Sequence, residues 1–322
     1  GNDLCPKMIV VGIPNTDRMR DLSPTHVDSS PFLNPAQAKT TGGGEAFLSF
    51  IEKELMPYVE SKYPTAPYRM LIGHSLGRLL AVHTFLHHTD LFNAYVAIDP
   101  SMWWDDRKLL KEAQKDVVVR KFPKTALYMG IANTMESGMD IRSVVRDTSN
   151  ETEHIRSILT LDKLLNNNKQ NKLKYRSKYY GNDTHNSAPL ITEYDALRFI
   201  FDYYPMKLRW KDYEDTTGVV AEKIEKACAL RSEKMGYAIK PPEDLYNSLG
   251  YQALGNKHFA LGEHYFKQNT EYYPESFNVY DSYGDYFLAK EDKANAIIQF
   301  QKSLAIKETP ATRQKLKSLQ KK

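Results

Sequence analysis

The chain has 322 residues, of which 41% are hydrophobic and 26% charged, and its formal net charge at pH 7 is +4. This length suggests about two domains and is ample for a buried core. A mean hydropathy of -0.56, with no long uncharged apolar run, excludes a membrane-spanning helix. The two cysteines, Cys5 and Cys228, are too few for a disulfide scaffold or for a zinc site built from several thiolates.

Positive charge is concentrated at the end of the chain. Residues 302–322 contain seven basic residues and one acidic residue, which leaves the first 301 residues with a net charge of −2. No aromatic residue or RNA-binding motif accompanies these charges, so we expect a solvated helix end and no nucleic-acid partner. The start, Gly1-Asn2-Asp3, lacks the features of a secretory leader. Localisation stays open between cytoplasmic and, if a leader has been removed, periplasmic or secreted.

Short apolar runs alternate with amphipathic helices from the start of the chain to about Pro205. The runs predicted as strands are 8–12, 68–72, 94–98, 126–131 and 173–180. Apolar residues at helical spacing predict helices at 45–63, 76–88 and 196–203. This alternation favours an α/β domain over residues 1–205, with a mostly parallel sheet and helices on both faces.

The pattern changes after Pro205, where the strand signals end. A connecting segment is expected at 206–242, with a helix at 214–234. Four residues then recur 34 positions later: Tyr246, Leu249, Gly250 and Phe266 correspond to Tyr280, Tyr283, Gly284 and Phe300. This period is typical of the tetratricopeptide repeat, so residues 243–322 are predicted as a helical-repeat domain suited to a protein partner. Two copies are fewer than such stacks need, and the flanking helices are expected to complete the domain.

The most informative segment is G-x-S-x-G at 73–77, between a predicted strand and a predicted helix. This is the context of a nucleophile elbow, in which a serine occupies a strained turn. Gly73 and Gly77 are expected to supply the space that the turn needs. Ser75 is therefore the predicted nucleophile, and the backbone N–H of Leu76, at the start of the helix, is the predicted oxyanion donor.

A serine nucleophile needs a base and an acid, which follow it in that architecture in the order acid, then histidine. His185 fits the base, because it alone of the nine histidines follows a late strand and precedes the last helix of the domain. The acid is expected on the loop after the preceding strand, where Asp140 and Glu136 rank nearly level. Asp147 lies slightly further along, and a dyad with the local carboxylate of Asp183 is an alternative.

Several segments resemble the Putative esterase family of α/β hydrolases, which includes esterase D and the enterochelin esterases. The similar segments are 10–13, 18–22, 42–47, 54–59, 73–77 and 99–105. The resemblance covers 1–205 and implies hydrolysis of small acyl or siderophore-like carboxylic esters through an acyl-enzyme on Ser75, with no metal or organic cofactor. It also implies that Arg18, Trp103 and Trp104 lie near the substrate cleft, and we expect His74, inside the elbow, to contact the substrate.

The chain departs from the family pattern in three respects. Arg78 stands where a further glycine is common, Asp99 stands where a serine is usual, and strands normally precede the one predicted at 8–12. In the family, one of those early loops supplies the second oxyanion N–H. The alternative function is therefore a degenerate hydrolase domain kept as a scaffold beside the repeats. Acyl transfer to an acceptor other than water is a milder variant.

Three histidines lie close together on the helix predicted after the elbow. His83 and His87 form an i, i+4 pair, and His88 follows directly. Such a pair can bind a metal, but no glutamate follows His83, so the H-E-x-x-H pattern of metalloproteases is missing. We expect surface histidines and no metal site here.

Overall fold

The computed structural model describes residues 4–29, 33–214 and 216–320. It divides into two compact units, Gly1–Asp202 and Tyr203–Lys322, close to the boundary predicted at Pro205. Residues 1–3 and 321–322 lie outside the described residues. The first of these segments is the start that was expected to lack a leader, and the second carries two basic residues of the tail. In the part that the structure describes, no helix is both long enough and apolar enough to cross a membrane.

A four-stranded parallel sheet forms the centre of the first unit. Its strands, in spatial and in sequence order, are β1 (Met70–His74), β2 (Ala94–Ile98), β3 (Ala126–Ala132) and β4 (Lys174–Tyr180). Gly73 of β1 pairs with Ala97 of β2, and Ile98 of β2 pairs with Gly130 of β3. The predicted α/β class with a parallel sheet is confirmed, and all four carboxyl ends lie at one edge.

The strand predicted at 8–12 is wrong. Residues 8–11 are exposed, with Val10 at 90%, and they join no sheet. A strand is stable only where a neighbour pairs its backbone N–H and C=O groups. Among the described residues β1 pairs with β2 alone, so its other edge has no neighbouring strand. The apolar run therefore lacks the neighbour that would make it a strand.

Nine helices of the described chain belong to the first unit. They are α1 (Arg18–Leu22), α2 (Pro35–Thr40), α3 (Gly44–Phe50), α4 (Met56–Lys62), α5 (Leu76–His87), α6 (Trp104–Val119), α7 (Ile141–Val144), α8 (Glu153–Asn167) and α9 (Ala188–Ile200). A π-helical turn at Ile51–Leu55 joins α3 to α4, so the helix predicted at 45–63 is continuous but changes its winding.

Helices cover both faces of the sheet. Leu127 and Met129 of β3 share one buried core with residues of α5, α6 and α8. The intervening Tyr128 faces the other way, where its ring lies 5.7 Å from that of Phe199 in α9. Because successive strand residues point to opposite faces, β2 and β3 are buried along their whole length.

The second unit is helical throughout its described residues. Its helices are α10 (Val219–Met235), α11 (Glu243–Gly255), α12 (Phe259–Tyr272), α13 (Phe277–Ala289), α14 (Lys293–Ile306) and α15 (Pro310–Gln320). Ile224 and Cys228 of α10 are buried with Tyr246 and Leu249 of α11. The segment expected as a connection at 206–242 therefore contributes to the core of this unit.

The helix pairs α11–α12 and α13–α14 repeat one close contact. A Cβ on Gly250 would lie 2.8 Å from the Phe266 ring, and a Cβ on Gly284 would lie 2.4 Å from the Phe300 ring. The glycines let each pair approach closely, which explains why both positions recur 34 residues apart. Leu316 of α15 packs on Phe300 and closes the end of the unit.

The basic end of the chain is partly paired. Lys315 lies 2.9 Å from Asp281 and 2.8 Å from Asp285, and Arg313 bonds to Glu308. These ion pairs reduce the free positive charge expected at this end.

Candidate active site

Ser75 occupies a sharp turn between β1 and α5. Its φ and ψ are 62° and −122°, a conformation that is strained for a residue with a side chain. A Cβ on Gly73 would lie 2.2 Å from the carbonyl oxygen of Gly77, so this turn requires glycine at 73. Contrary to expectation, position 77 does not require glycine, since the atom nearest to a Cβ there, Leu22 Cδ1, is 3.9 Å away.

The Ser75 hydroxyl stands beside a helix N-terminus. Leu76 is the first residue of α5, so its N–H has no acceptor within the helix and lies at the positive end of the helix dipole. Ser75 is half-buried, and its hydroxyl makes no hydrogen bond to any of the described residues. The side chain is therefore not committed to a structural role.

His185 lies in the loop between β4 and α9, and Asp99 directly follows β2. His185 Nδ1 and Asp99 Oδ2 are 2.5 Å apart. Since a carboxylate only accepts hydrogen bonds, Nδ1 must carry the proton, which assigns the tautomer that leaves a lone pair on Nε2. This is the arrangement of a histidine that acts as a general base.

The Asp99 carboxylate is fully buried and accepts three hydrogen bonds. Its Oδ1 accepts the N–H of Ala132 at 3.0 Å, and its Oδ2 also accepts Nε2–H of His154 at 2.8 Å. Burial alone would raise the pKa of Asp99, but the hydrogen bonds from His154 and His185 hold that pKa well below its usual value. Asp99 therefore stays ionised while it orients both imidazoles.

The structure brings neither of the two expected acids to His185. Asp140 is the N-cap of α7, and its Oδ1 accepts the N–H of Ser143 at 2.7 Å. Glu136 lies on an exposed turn closed by the Met139 N–H. The carboxylate that contacts His185 is that of Asp99, which directly follows β2.

Contacts from Asn133 and His74 hold the loop that carries His185. The Asn133 side chain donates to the carbonyl of Gly181 at 3.0 Å. His74 Nε2–H donates to the carbonyl of His185 at 2.8 Å, and the two rings lie 4.7 Å apart. Burial, assisted by the charge of Arg78, lowers the pKa of His74. His74 thus joins the elbow to the loop of His185, and the substrate contact expected for His74 stays a prediction.

The other residues expected near the cleft differ in position. The Arg18 guanidinium is exposed and donates to the carbonyl of His74 at 3.5 Å, beside the elbow. Trp104 is only 2% exposed, and its Nε1–H donates to the carbonyl of Thr25 at 3.2 Å. Trp104 is therefore a core residue, whereas Trp103 is half-buried with its ring 5.8 Å from that of Trp104.

Arg78 lies in the first turn of α5, and its side chain is completely buried. None of its guanidinium nitrogens has a hydrogen-bond partner among the described residues. Burial holds the pKa of Arg78 well below its usual value, and only the charge of Asp99 opposes this. Arg78, which stands where a further glycine is common in the family, is thus a buried cation whose desolvation lowers the stability of the fold.

Asp99 and His154 were not predicted as site residues. Asp99 carried a usable signal, because a carboxylate directly after a parallel strand lies at the same sheet edge as Ser75. His154 carried none, since it is 55 residues from Asp99 in the chain and begins a helix of ordinary amphipathic pattern.

Several known proteins are similar to this chain in sequence or in fold. A siderophore triacetylfusarinine C esterase of Aspergillus fumigatus is 32% identical over 116 residues, which are 35% of this chain and 39% of the relative. A siderophore enterobactin esterase of Emericella nidulans is 34% identical over 120 residues, 34% of this chain and 40% of the relative. The aligned regions thus span well under half the length of these relatives.

A solved structure covers more of the chain. The crystal structure of an IroE-like serine hydrolase from Shewanella oneidensis aligns with 84% of this chain and 80% of its own, at 29% identity and a TM-score of 0.65. The family model described as Putative esterase matches residues 3–187, more than half of the chain and all of the region from the elbow to His185. The chain therefore belongs to the Putative esterase family.

Proposed function

We propose that this protein is a serine carboxylic-ester hydrolase with Ser75 as nucleophile, His185 as base and Asp99 as the acid that orients the base. The observation that carries the proposal is the 2.5 Å contact between His185 Nδ1 and Asp99 Oδ2, at the sheet edge where Ser75 occupies a strained turn. A nucleophile, a base and a buried orienting carboxylate are the three groups that acyl transfer needs.

In the acylation step, the Ser75 oxygen attacks the ester carbonyl carbon while His185 Nε2 takes the hydroxyl proton. The developing oxyanion is stabilised by the Leu76 N–H at the start of α5. The bond from the carbonyl carbon to the alkoxy oxygen then breaks, and His185 gives its proton to the departing alcohol. The product is an acyl ester on Ser75.

Deacylation repeats the same transfer with water as the nucleophile. His185 Nε2 takes a proton from water, the hydroxide oxygen attacks the acyl carbon, and the carboxylic acid leaves as the proton returns to Ser75. Asp99 stabilises the imidazolium formed in each step without itself being protonated. A negatively charged carboxylate suits this task, and the low pKa of Asp99 maintains that charge.

The proposed substrates are small acyl esters and siderophore-like esters. The second class rests on the two relatives, which are named as esterases of siderophores. Acyl transfer to another acceptor uses the same acyl-enzyme and differs only in the nucleophile of the second step.

Hydrolysis of p-nitrophenyl acetate and butyrate by the full chain tests the proposal. Ser75→Ala should reduce kcat by at least about 10³-fold, as removal of a triad nucleophile does. Ser143→Ala, a serine outside the site, serves as the matched control and should leave kcat unchanged. A folded wild-type protein with no turnover of these esters or of a triscatecholate lactone would instead favour the degenerate scaffold.

We also propose that α11–α14 are two tetratricopeptide-type repeats. The equivalent Gly250–Phe266 and Gly284–Phe300 contacts, one repeat apart, support this assignment. The protein partner expected for such repeats stays a prediction.

A further inference from the structure

A second group of converging histidines lies on the first unit, away from Ser75. His83 belongs to α5, His88 ends that helix, and Glu45 comes from the first turn of α3. One ligand atom from each of the three side chains lies within 4.8 Å of the others. We propose that Glu45, His83 and His88 form a binding site for a divalent transition-metal ion, of which Zn²⁺ is the best match.

The geometry of the three side chains supports this site. Glu45 Oε1 lies 2.5 Å from His83 Nε2, and Glu45 Oε2 lies 3.0 Å from His88 Nε2. In a tetrahedral zinc site with bonds of 2.0–2.1 Å, ligand atoms are about 3.4 Å apart. The two distances from Glu45 are thus about 0.9 and 0.4 Å shorter than in such a site, and a small outward shift of the Glu45 carboxylate would lengthen both. The Glu45 side chain is 55% exposed, so it is free to make this adjustment.

The ligand set has the right chemistry for such an ion. Imidazole nitrogens suit Zn²⁺, Co²⁺ and Ni²⁺, and two histidines with one carboxylate leave a fourth position open to water. Glutamate does not follow His83 in the chain, but the fold supplies Glu45 from 38 residues upstream. Because α5 itself contains no acidic residue, the sequence of that helix gives no sign of the third ligand.

A cavity of about 390 Å³ opens onto the cluster. Its lining includes Glu45, His83 and His88 together with His87 and Glu112, whose side chains lie 3.1 Å apart. The cavity gives an ion an entry path and gives its remaining waters space. The lining also includes one cation, Lys108. Its positive charge is balanced by Asp105, whose carboxylate lies 3.9 Å from the ammonium.

This site is separate from the esterase chemistry. His83 lies eight positions after Ser75 along α5, which at the helical rise corresponds to about 12 Å along the axis. An ion held by Glu45, His83 and His88 would join α3 to the end of α5. Its direct consequence is stabilisation of these helices, since an ion that binds only the folded state raises the unfolding temperature.

The test is a titration of EDTA-dialysed full-length protein with Co²⁺ at pH 7, followed by the visible absorption of the bound ion. We expect saturation at one equivalent, displacement by Zn²⁺ and a Zn²⁺-dependent rise in Tm. Glu45→Gln and His88→Gln, both at partly exposed side chains, should each weaken Co²⁺ binding by more than about tenfold, since even outer-shell changes cost 10–100-fold. Circular dichroism verifies that both variants are folded.

Two control variants locate the ion. His154→Gln alters the other histidine–carboxylate cluster, at Asp99, and His264→Gln removes a histidine of the second unit that lies 3.7 Å from Glu225. Both should bind Co²⁺ like the wild type. The proposal is overturned if Co²⁺ does not saturate at one equivalent. It is equally overturned if Glu45→Gln and His88→Gln bind normally, or if His154→Gln alone abolishes binding.

Discussion

Asp99 Oδ2 and His185 Nδ1 are 2.5 Å apart although 86 residues separate them in the chain. The parallel sheet explains this meeting, because Asp99 follows β2 and His185 follows β4, with β3 between them. The backbone of Asp99 is itself held against β3, since its N–H donates to the carbonyl of Gly130 at 2.7 Å. The carboxylate is therefore positioned by the sheet and not by a flexible loop.

The choice of acid makes a direct kinetic prediction. Asp99→Asn should lower kcat for p-nitrophenyl esters by about 10⁴-fold, because the amide no longer fixes the His185 tautomer or stabilises its cation. Asp140→Asn is the matched control and should retain activity within about threefold, since that residue caps α7. Steady-state kinetics on both variants decides the matter. The reverse pattern would return the acid to the loop after β3.

The low pKa of Asp99 predicts how stability depends on pH. In the unfolded chain an aspartate titrates near 3.9, whereas in the folded protein the pKa of Asp99 is lower. Between these two values the unfolded state binds more protons, so the stabilising contribution is complete above about pH 4 and is lost as pH falls further. Urea unfolding from pH 7 to pH 3 should show a steeper acid loss for wild type than for Asp99→Asn. Parallel curves would contradict this role.

The two elbow glycines should respond differently to the same substitution. Gly73→Ala should destabilise the fold by about 3 kcal/mol or more and abolish activity, because its methyl would meet backbone atoms of Gly77 that cannot move aside. Gly77→Ala has room and should be neutral, or stabilising by up to about 1 kcal/mol through helix propensity. Urea denaturation of both variants measures the difference. Equal losses would show that the turn is not shaped as described.

Arg78 should be replaceable with a gain in stability. Arg78→Met keeps much of the side-chain volume and removes a buried guanidinium that lacks a hydrogen-bond partner among the described residues. We expect the free energy of unfolding to rise by about 1–3 kcal/mol, the desolvation cost of a buried polar group that has no hydrogen-bond partner. Arg146→Met, at an exposed position, should change it by less than about 0.5 kcal/mol. A marked loss for Arg78→Met would mean that the guanidinium has an acceptor.

Local patterns predicted much of the first unit. The runs at 94–98 and 126–131 correspond to β2 and β3. They were recognisable because parallel strands that are covered on both faces are apolar throughout. The elbow was recognisable because G-x-S-x-G combines a steric requirement, at Gly73, with a strand-to-helix change. The run at 8–12 is equally apolar, yet strand formation also depends on a neighbouring strand, which composition does not reveal.

The positions of two candidate residues were predictable from their place along the chain. Ser75 and His185 both lie at the expected sheet edge, since each follows a recognisable strand. Two contacts, that of Asp99 with His185 and that of Glu45 with His83, depend on which helices and strands pack together. Local sequence patterns do not contain this information. Without that information a carboxylate after β3 was as reasonable as one after β2. Trp104 was misplaced for a related reason, because a tryptophan beside a site and one in the core look alike in sequence.

The most direct test of the central claim is covalent labelling of Ser75. A fluorophosphonate reacts with a serine only when an adjacent base activates it and an oxyanion donor stabilises the adduct. Incubation of the full chain with this probe should add one phosphonyl group, located by peptide mass spectrometry on the fragment that contains Ser75 and absent from Ser75→Ala. An unmodified Ser75 in folded protein, or equal labelling of Ser75→Ala, would contradict the esterase account.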